Sequence, residues 1–86
     1  MILIDPPLWR WRGQRWSHLV SDHDFDELHA FAAQLGLRRG WFQGDHYDVP
    51  ERLWDDAVAL GADRVSSRDL VRRLRAAGLR RPRRQR

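Results

Sequence analysis

The sequence predicts a small single-domain α/β protein. It has about three short strands, in a parallel or mixed sheet, packed with three helices over residues 1–78. A basic, disordered tail follows over residues 79–86. Three observations lead there. Short apolar runs alternate with stretches of helical period in the order strand, helix, strand, helix, strand, helix, a pattern that builds a sheet covered by helices. A glycine closes each helical stretch, at Gly36, Gly61 and Gly78. The chain is 86 residues long, 42% hydrophobic and 33% charged, the composition of one soluble globular domain.

The elements follow in order. Residues 2–5 read as a buried strand with Asp5 at its carboxyl end, stopped by Pro6-Pro7, because proline has no N–H for a ladder. Residues 6–20 read as irregular and rich in Trp and Arg. Ser21 is the expected N-cap of the first helix, with Asp22, Asp24, Asp26 and Glu27 favouring its positive end. Phe25, Leu28, Ala32 and Leu35 form its apolar stripe. Leu37 to Phe42 is a second short strand, and Gly44 to Val49 a polar loop. Pro50 suits the first turn of a second helix, in which Leu53, Trp54, Ala57 and Leu60 share a face. Arg64 to Ser66 is the third strand. Ser67 caps a third helix whose inner stripe is Leu70, Val71, Leu74 and Ala77. Residues 80–86 carry no apolar partner and are expected to be disordered.

Composition removes several function classes. There is no cysteine, which excludes disulfide frameworks, thiolate zinc sites and cysteine nucleophiles. No run of about 18 apolar residues is present, so a transmembrane helix is not expected. Residues 1–7 are too short and too acidic for a signal peptide, and both features suit a cytoplasmic protein with no membrane partner. The net charge of +4 is unevenly spread. Residues 1–71 hold eight Arg against twelve acids, whereas residues 72–86 hold eight Arg and no acid. All basic residues are Arg, so the high isoelectric point belongs to the tail. No GxSxG, P-loop or GxGxxG is present, which leaves serine hydrolase, P-loop and dinucleotide-enzyme readings without support.

Several segments together carry a family resemblance. They are the first strand ending in Asp5; Trp16-Ser17-His18-Leu19; Glu27-Leu28-His29-Ala30 followed by Ala33-Gln34-Leu35-Gly36-Leu37; Trp41-Phe42-Gln43; His46-Tyr47-Asp48; and Gly61-Ala62. Over roughly residues 1–75 the chain resembles the bacterial and phage family known as domain of unknown function 4031. The resemblance implies a small bacterial or phage-associated protein and brings no biochemical activity with it. It directs attention to Asp5, His18, His29, Trp41, Phe42, His46, Tyr47 and Asp48. The Trp9-Arg10-Trp11-Arg12 segment and the tail fall outside it.

The sharpest constellation is Asp5, His18, His46 and Asp48. Two imidazoles and two carboxylates suit a divalent cofactor ion such as Zn²⁺, Mn²⁺ or Mg²⁺. They suit equally a metal-free site in which His18 or His46 is a general base oriented by Asp48 or Asp5. In an open α/β sheet the ligand lies outside the carboxyl ends of the strands. That edge collects Asp5, the residues after Pro7, the Gln43 to Asp48 loop and Ser66-Ser67; Trp16, His29, Gln43, Tyr47, Ser66 and Arg68 are the candidate contacts to a small anionic ligand. A purely structural reading stands beside these: Asp5 caps a loop, His18 bonds a backbone carbonyl, and His46-Tyr47-Asp48 is a turn. His29, at the border of its stripe, either bonds across to the next layer or looks into the site.

A second class of function draws on other residues. Trp9, Arg10, Trp11 and Arg12 interleave aromatic rings that stack on bases with cations that hold phosphates. Arg80, Arg81, Arg83 and Arg84 add a salt-dependent attraction to nucleic acid. The same Trp rings also suit a small core, with Arg stacked on them. The reading carried forward is a ligand-binding or hydrolase-like domain acting on a phosphate ester or nucleotide. The alternative is a non-catalytic accessory protein that binds nucleic acid or a protein partner through the Trp/Arg segment and the tail.

Overall fold

The structure, a computed structural model, describes residues 1–80. Its elements are β1 (Ile2–Ile4), β2 (Trp9–Trp11), β3 (Gln14–Ser21), α1 (Phe25–Leu35), β4 (Tyr47–Pro50), α2 (Trp54–Ala59), β5 (Asp63–Arg64) and α3 (Ser67–Ala76). Single 3₁₀ turns lie at Arg39–Trp41 and Glu51–Leu53. The α/β class is as the sequence predicts, with a mixed sheet of five strands rather than three.

β3 organises the sheet. β1 pairs with its second half in antiparallel register, Ile2 opposite Ser21 and Ile4 opposite Leu19. β2 pairs with its first half, Trp9 opposite Trp16 and Trp11 opposite Gln14. β4 pairs with Trp16 to Leu19, a stretch that overlaps both. β3 has only two edges, so β1 and β2 follow one another along one edge, broken at Pro6-Pro7, and β4 takes the other. β5 adds to β1 in parallel.

Side chains alternate across this sheet. On one face Ile2, Ile4, Leu19, Tyr47 and Val49 are buried against Leu28, Ala32 and Leu35 of α1 and Ala57 of α2. On the other, Leu3 and Val20 are buried against Leu70 and Leu74 of α3. α3 covers only the β1 end of that second face. The remainder of the face, built from β2, β3 and β4, carries Trp9, Trp16, His18 and Asp48, and all four side chains are only partly buried.

Four local expectations are corrected. Residues 6–20 are not irregular, because β2 and the start of β3 form a hairpin. Its two-residue loop, Arg12-Gly13, has positive φ at both positions (52° and 77°), as a type I′ turn requires. Leu37 to Phe42 is not a strand. Trp41 N–H donates to Arg38 O and Phe42 N–H to Arg39 O, closing a 3₁₀ turn at Gly40. The polar loop gives way to β4 at Tyr47, and Pro50 ends that strand instead of opening a helix. A proline is tolerated there because β4 lies at the sheet edge. The caps shift as well. Asp24 caps α1, accepting from Glu27 N–H, and Ser66 caps α3, accepting from Asp69 N–H. Ser67 is thereby free to turn toward the sheet.

At the end of α3, Leu79 N–H donates to Leu74 O, and the Leu79 side chain packs on the α3-side core. The expected basic tail, with Arg81, Arg83 and Arg84, lies outside the described residues from 81 onward. Among the described residues no helix is long and apolar enough to cross a membrane.

Candidate functional site

The uncovered part of the second face brings His18, His46 and Asp48 together. Asp48 is the cross-strand partner of His18 in the β3–β4 pairing. His46 stands two residues before Asp48, the spacing that returns to the same face. Each of the three offers one ligand-type atom, and these atoms all lie within 4.8 Å of one another, the one such group found among the described residues. The His18 and His46 rings meet edge to face, centroids 5.3 Å apart.

Both imidazoles are held from behind by a buried carboxylate. Asp5 Oδ2 lies 2.9 Å from His18 Nδ1. Asp5 Oδ1 accepts from the His18 backbone N–H at 2.6 Å, and Ser67 Oγ donates to Oδ2 at 2.8 Å. Burial alone would raise the Asp5 carboxyl. The His18 ring and N–H and the Ser67 hydroxyl outweigh it and hold the group below its ordinary value. Trp54 Nε1, at the start of α2, donates to Asp5 O at 2.9 Å and fixes the backbone that carries it. Asp45 Oδ1 lies 2.7 Å from His46 Nδ1, within the tight turn closed by Gln43 N–H on His46 O. With each Nδ1 engaged, Nε2 is the atom each ring has left to offer. His46 Nε2 lies 3.2 Å from Asp48 Oδ1. Burial would lower the His46 pKa, but the Asp48 and Asp45 carboxylates outweigh it, so the ring protonates above its ordinary range.

Asp48 has a divided role. Its Oδ2 accepts from Gln43 Nε2 at 3.1 Å. Its Oδ1 is buried and makes no well-aligned hydrogen bond, despite its nearness to His46. That oxygen faces the His46 ring, whose protonated form it favours.

Two hollows flank the cluster. One, of about 500 Å³, is bordered by Trp11, Trp16, Trp41, Gln43, Asp48 and Arg52. The other, of about 270 Å³, is bordered by Asp5, His18, His46, Ser67 and Arg80. Trp9 stacks on His18 at 5.7 Å and on Trp16 at 6.0 Å, which walls the cluster on the hairpin side.

The expected site residues therefore separate. His18, His46 and Asp48 converge. Asp5 sits behind His18 with both oxygens engaged, a supporting group rather than a member of the converging set. Gln43 and Trp16 stand beside Asp48. Asp5, Ser66 and Ser67 lie beyond the carboxyl ends of the parallel pair β1 and β5; His18 and Asp48 arrive from antiparallel strands.

Four expected contacts lie elsewhere. Tyr47, between His46 and Asp48, points to the opposite face and is 1% exposed. His29 bonds it there, Nδ1 to Tyr47 Oη at 2.8 Å. Burial, helped by Arg39, holds the His29 ring below its ordinary pKa. Ser66 is engaged in capping α3, and Arg68 is exposed on that helix. In the Trp/Arg segment, Arg10 pairs with Arg15 on the hairpin. Arg12 lies over the Trp11 ring at 4.6 Å, and Arg80 lies 3.7 Å from Asp45.

Asp45 is the residue that sequence reasoning missed. The available signal was an acid immediately before His46 in a glycine-containing turn, the right distance for a ring nitrogen once the turn closes.

The family model described as Protein of unknown function (DUF4031) matches residues 2–77, and the chain belongs to that family. No curated protein and no solved structure matches the chain.

Proposed function

We propose that the chain is a divalent-metal-dependent, hydrolase-like domain acting on phosphate esters, with His18 Nε2, His46 Nε2 and the Asp48 carboxylate as ligands. The observation that supports this best is the doubled carboxylate–imidazole arrangement. Asp5 and Asp45 each hold an Nδ1, so two Nε2 atoms face a third carboxylate. Metal-ligating histidines almost always have such a partner behind them, which sets the tautomer and makes the ring a better donor.

Two imidazoles favour an ion of the Zn²⁺ or Mn²⁺ kind over Mg²⁺. Zn²⁺ bonds of about 2.0–2.2 Å would need ligand atoms roughly 3.3–3.6 Å apart; the His46–Asp48 pair, at 3.2 Å, already stands near that spacing, and all three atoms lie within 4.8 Å. Three protein ligands leave a position for water or substrate. Held by His18, His46 and Asp48, such an ion would supply a water of lowered pKa and a Lewis acid for a phosphoryl oxygen. The chain's own groups hold the imidazole tautomers, and the Trp9 ring limits access of water from the hairpin side.

Elemental analysis of the purified protein tests the reading. One equivalent of a divalent transition metal is expected in the wild type. It should be lost in His46→Ala and Asp48→Ala variants that keep the wild-type circular dichroism. Hydrolysis of bis-p-nitrophenyl phosphate should follow the metal content. A wild type that neither carries nor takes up Zn²⁺ or Mn²⁺ on titration would refute the reading.

A further inference from the structure

The larger hollow and the converging cluster share Asp48, and the hollow's composition differs from that of the cluster. Three tryptophans border it, from β2, β3 and the 3₁₀ turn after α1. Two of these, Trp11 and Trp41, are 52% and 50% exposed, an unusual amount of aromatic surface to leave in water beside a cavity. Each has a guanidinium over its ring, Arg12 on Trp11 at 4.6 Å and Arg38 on Trp41 at 5.8 Å, and Arg52 stands on the rim. The volume of about 500 Å³ lies in the range of small-molecule sites. Flat aromatic walls with one guanidinium, Arg52, at the edge suit a ligand that is a planar ring at one end and an anion at the other.

We infer that this cavity takes the base of a nucleotide, stacked on Trp41 and Trp11, with its phosphate group at the His18–His46–Asp48 cluster. The inference rests on the proposed metal-dependent reading for the phosphate end only. The base end depends on the tryptophans and stands apart from any ion. Every base has a stacking face, and stacking on an aromatic side chain is worth about 1–3 kcal/mol per base, so the site accepts bases without strong selectivity. Free mononucleotides and the terminal nucleotide of a single strand present this same chemistry.

The test is calorimetric titration of full-length protein, as purified and again after chelator treatment, with three probes: adenosine 5′-monophosphate, ribose 5-phosphate and a single-stranded hexadeoxyadenylate. Saturable binding of the mononucleotide is expected, at least about tenfold tighter than ribose 5-phosphate, from the stacking contribution. Trp41→Ala should lose that advantage and Trp41→Phe should keep it. Trp41 is half exposed, so both variants are expected to fold, and circular dichroism checks that they do. A hexanucleotide that binds tighter than the mononucleotide, with a steep salt dependence, identifies a strand as the natural source. Equal or weaker hexanucleotide binding identifies the free nucleotide. Either result supports the inference.

Equal binding of mononucleotide and ribose 5-phosphate, or a Trp41→Ala protein that binds as the wild type does, would overturn it. A protein without a metal site that still binds the mononucleotide through Trp41 would overturn the metal reading alone. A protein with one equivalent of metal and no preference for the base would overturn the cavity assignment alone.

Discussion

Asp5→Asn is the substitution that most directly separates a site from a structural cluster. It changes no volume, and the carbonyl oxygen of the new amide can still accept the 2.6 Å bond from His18 N–H. The amide nitrogen then occupies the position of Oδ2, facing His18 Nδ1 and Ser67 Oγ. An NH₂ group there donates to Nδ1, which forces the ring proton onto Nε2. The Ser67 hydroxyl can rotate and accept, so its bond survives. The imidazole tautomer is inverted, and the nitrogen facing Asp48 is blocked by a hydrogen. Losing a partner of this kind behind a metal-ligating histidine costs about 10- to 100-fold in metal affinity. Replacing one or more charge-assisted bonds by neutral ones should cost about 1.5–3 kcal/mol of stability. For a domain of this size that is a Tm lowered by roughly 6–24 °C. The assay pairs a thermal melt and a competitive Zn²⁺ titration with ¹⁵N-detected imidazole NMR, which reads the tautomer without any metal. Wild-type protein should show His18 protonated on Nδ1, and the variant on Nε2. A variant that keeps the Nδ1–H tautomer and wild-type Zn²⁺ affinity would refute the reasoning.

Three further outcomes are expected. Arg12 has a φ of 52° in the hairpin loop, a conformation that bulky residues disfavour and Asn accepts. Arg12→Asn should therefore raise stability by about 0.5–1 kcal/mol, read as a higher Tm; a lower Tm would mean that the Arg12–Trp11 contact outweighs the strain. Asp22 is held below its ordinary value of 3.8 first by the Met1 amine and then by Arg73, and Glu27 below 4.5 first by the Ser21 hydroxyl and then by the same amine. Both carboxylates stabilise the fold fully above those values, and their contribution fades as pH falls through the lowered ones, so Asp22→Asn should flatten the acid limb of a Tm-against-pH curve. Addition of Zn²⁺ at about 100 times its Kd should stabilise the wild type by about 2.7 kcal/mol, a Tm rise of roughly 10–20 °C, with no rise in Asp48→Ala. An equal rise in that variant would place the ion elsewhere.

The helices were legible in the sequence and the hairpin was not, for a local reason. Phe25, Leu28, Ala32 and Leu35 repeat at helical spacing and end at Gly36, so α1 declares itself within its own residues. β2 also has its period, with Trp9 and Trp11 alternating with Arg10 and Arg12. Its turn, however, is Arg-Gly where Asn-Gly or Asp-Gly would mark a hairpin. Its pairing with β3 is visible only once Trp9 is set opposite Trp16. Missing β4 had a larger consequence. Read as a loop, His46-Tyr47-Asp48 gives three candidate contacts. Read as extended chain, the same tripeptide places His46 and Asp48 on one face and Tyr47 on the other, where it meets His29. The set Asp5, His18, His46 and Asp48 was legible as residue types, but the division between converging and supporting carboxylates was not. It depends on which carboxylate the fold sets behind a ring at Nδ1 and which it sets in front at Nε2.

That division is the strongest argument for a site on this face. A small domain gains little by retaining polar groups in its interior, and the opposite face of the sheet shows the ordinary solution, with apolar side chains filling the space between sheet and helices. Polar groups occur on that side too: His29 and Tyr47 satisfy each other, while the hydroxyl of the buried Ser17 has no hydrogen-bond partner. On the face half covered by α3, three carboxylates and two imidazoles occupy the place where two or three aliphatic residues would continue the Leu3–Val20–Leu70–Leu74 cluster. Two of the carboxylates are engaged with ring nitrogens, and the third keeps a buried oxygen without a well-aligned donor. Ser17 Oγ and Trp9 Nε1 are likewise buried without a partner, so the excess of carboxylate charge, rather than one such atom, sets this face apart. Under the proposed reading, a divalent ion at Asp48 would meet that carboxylate oxygen, both Nε2 atoms and the excess negative charge together.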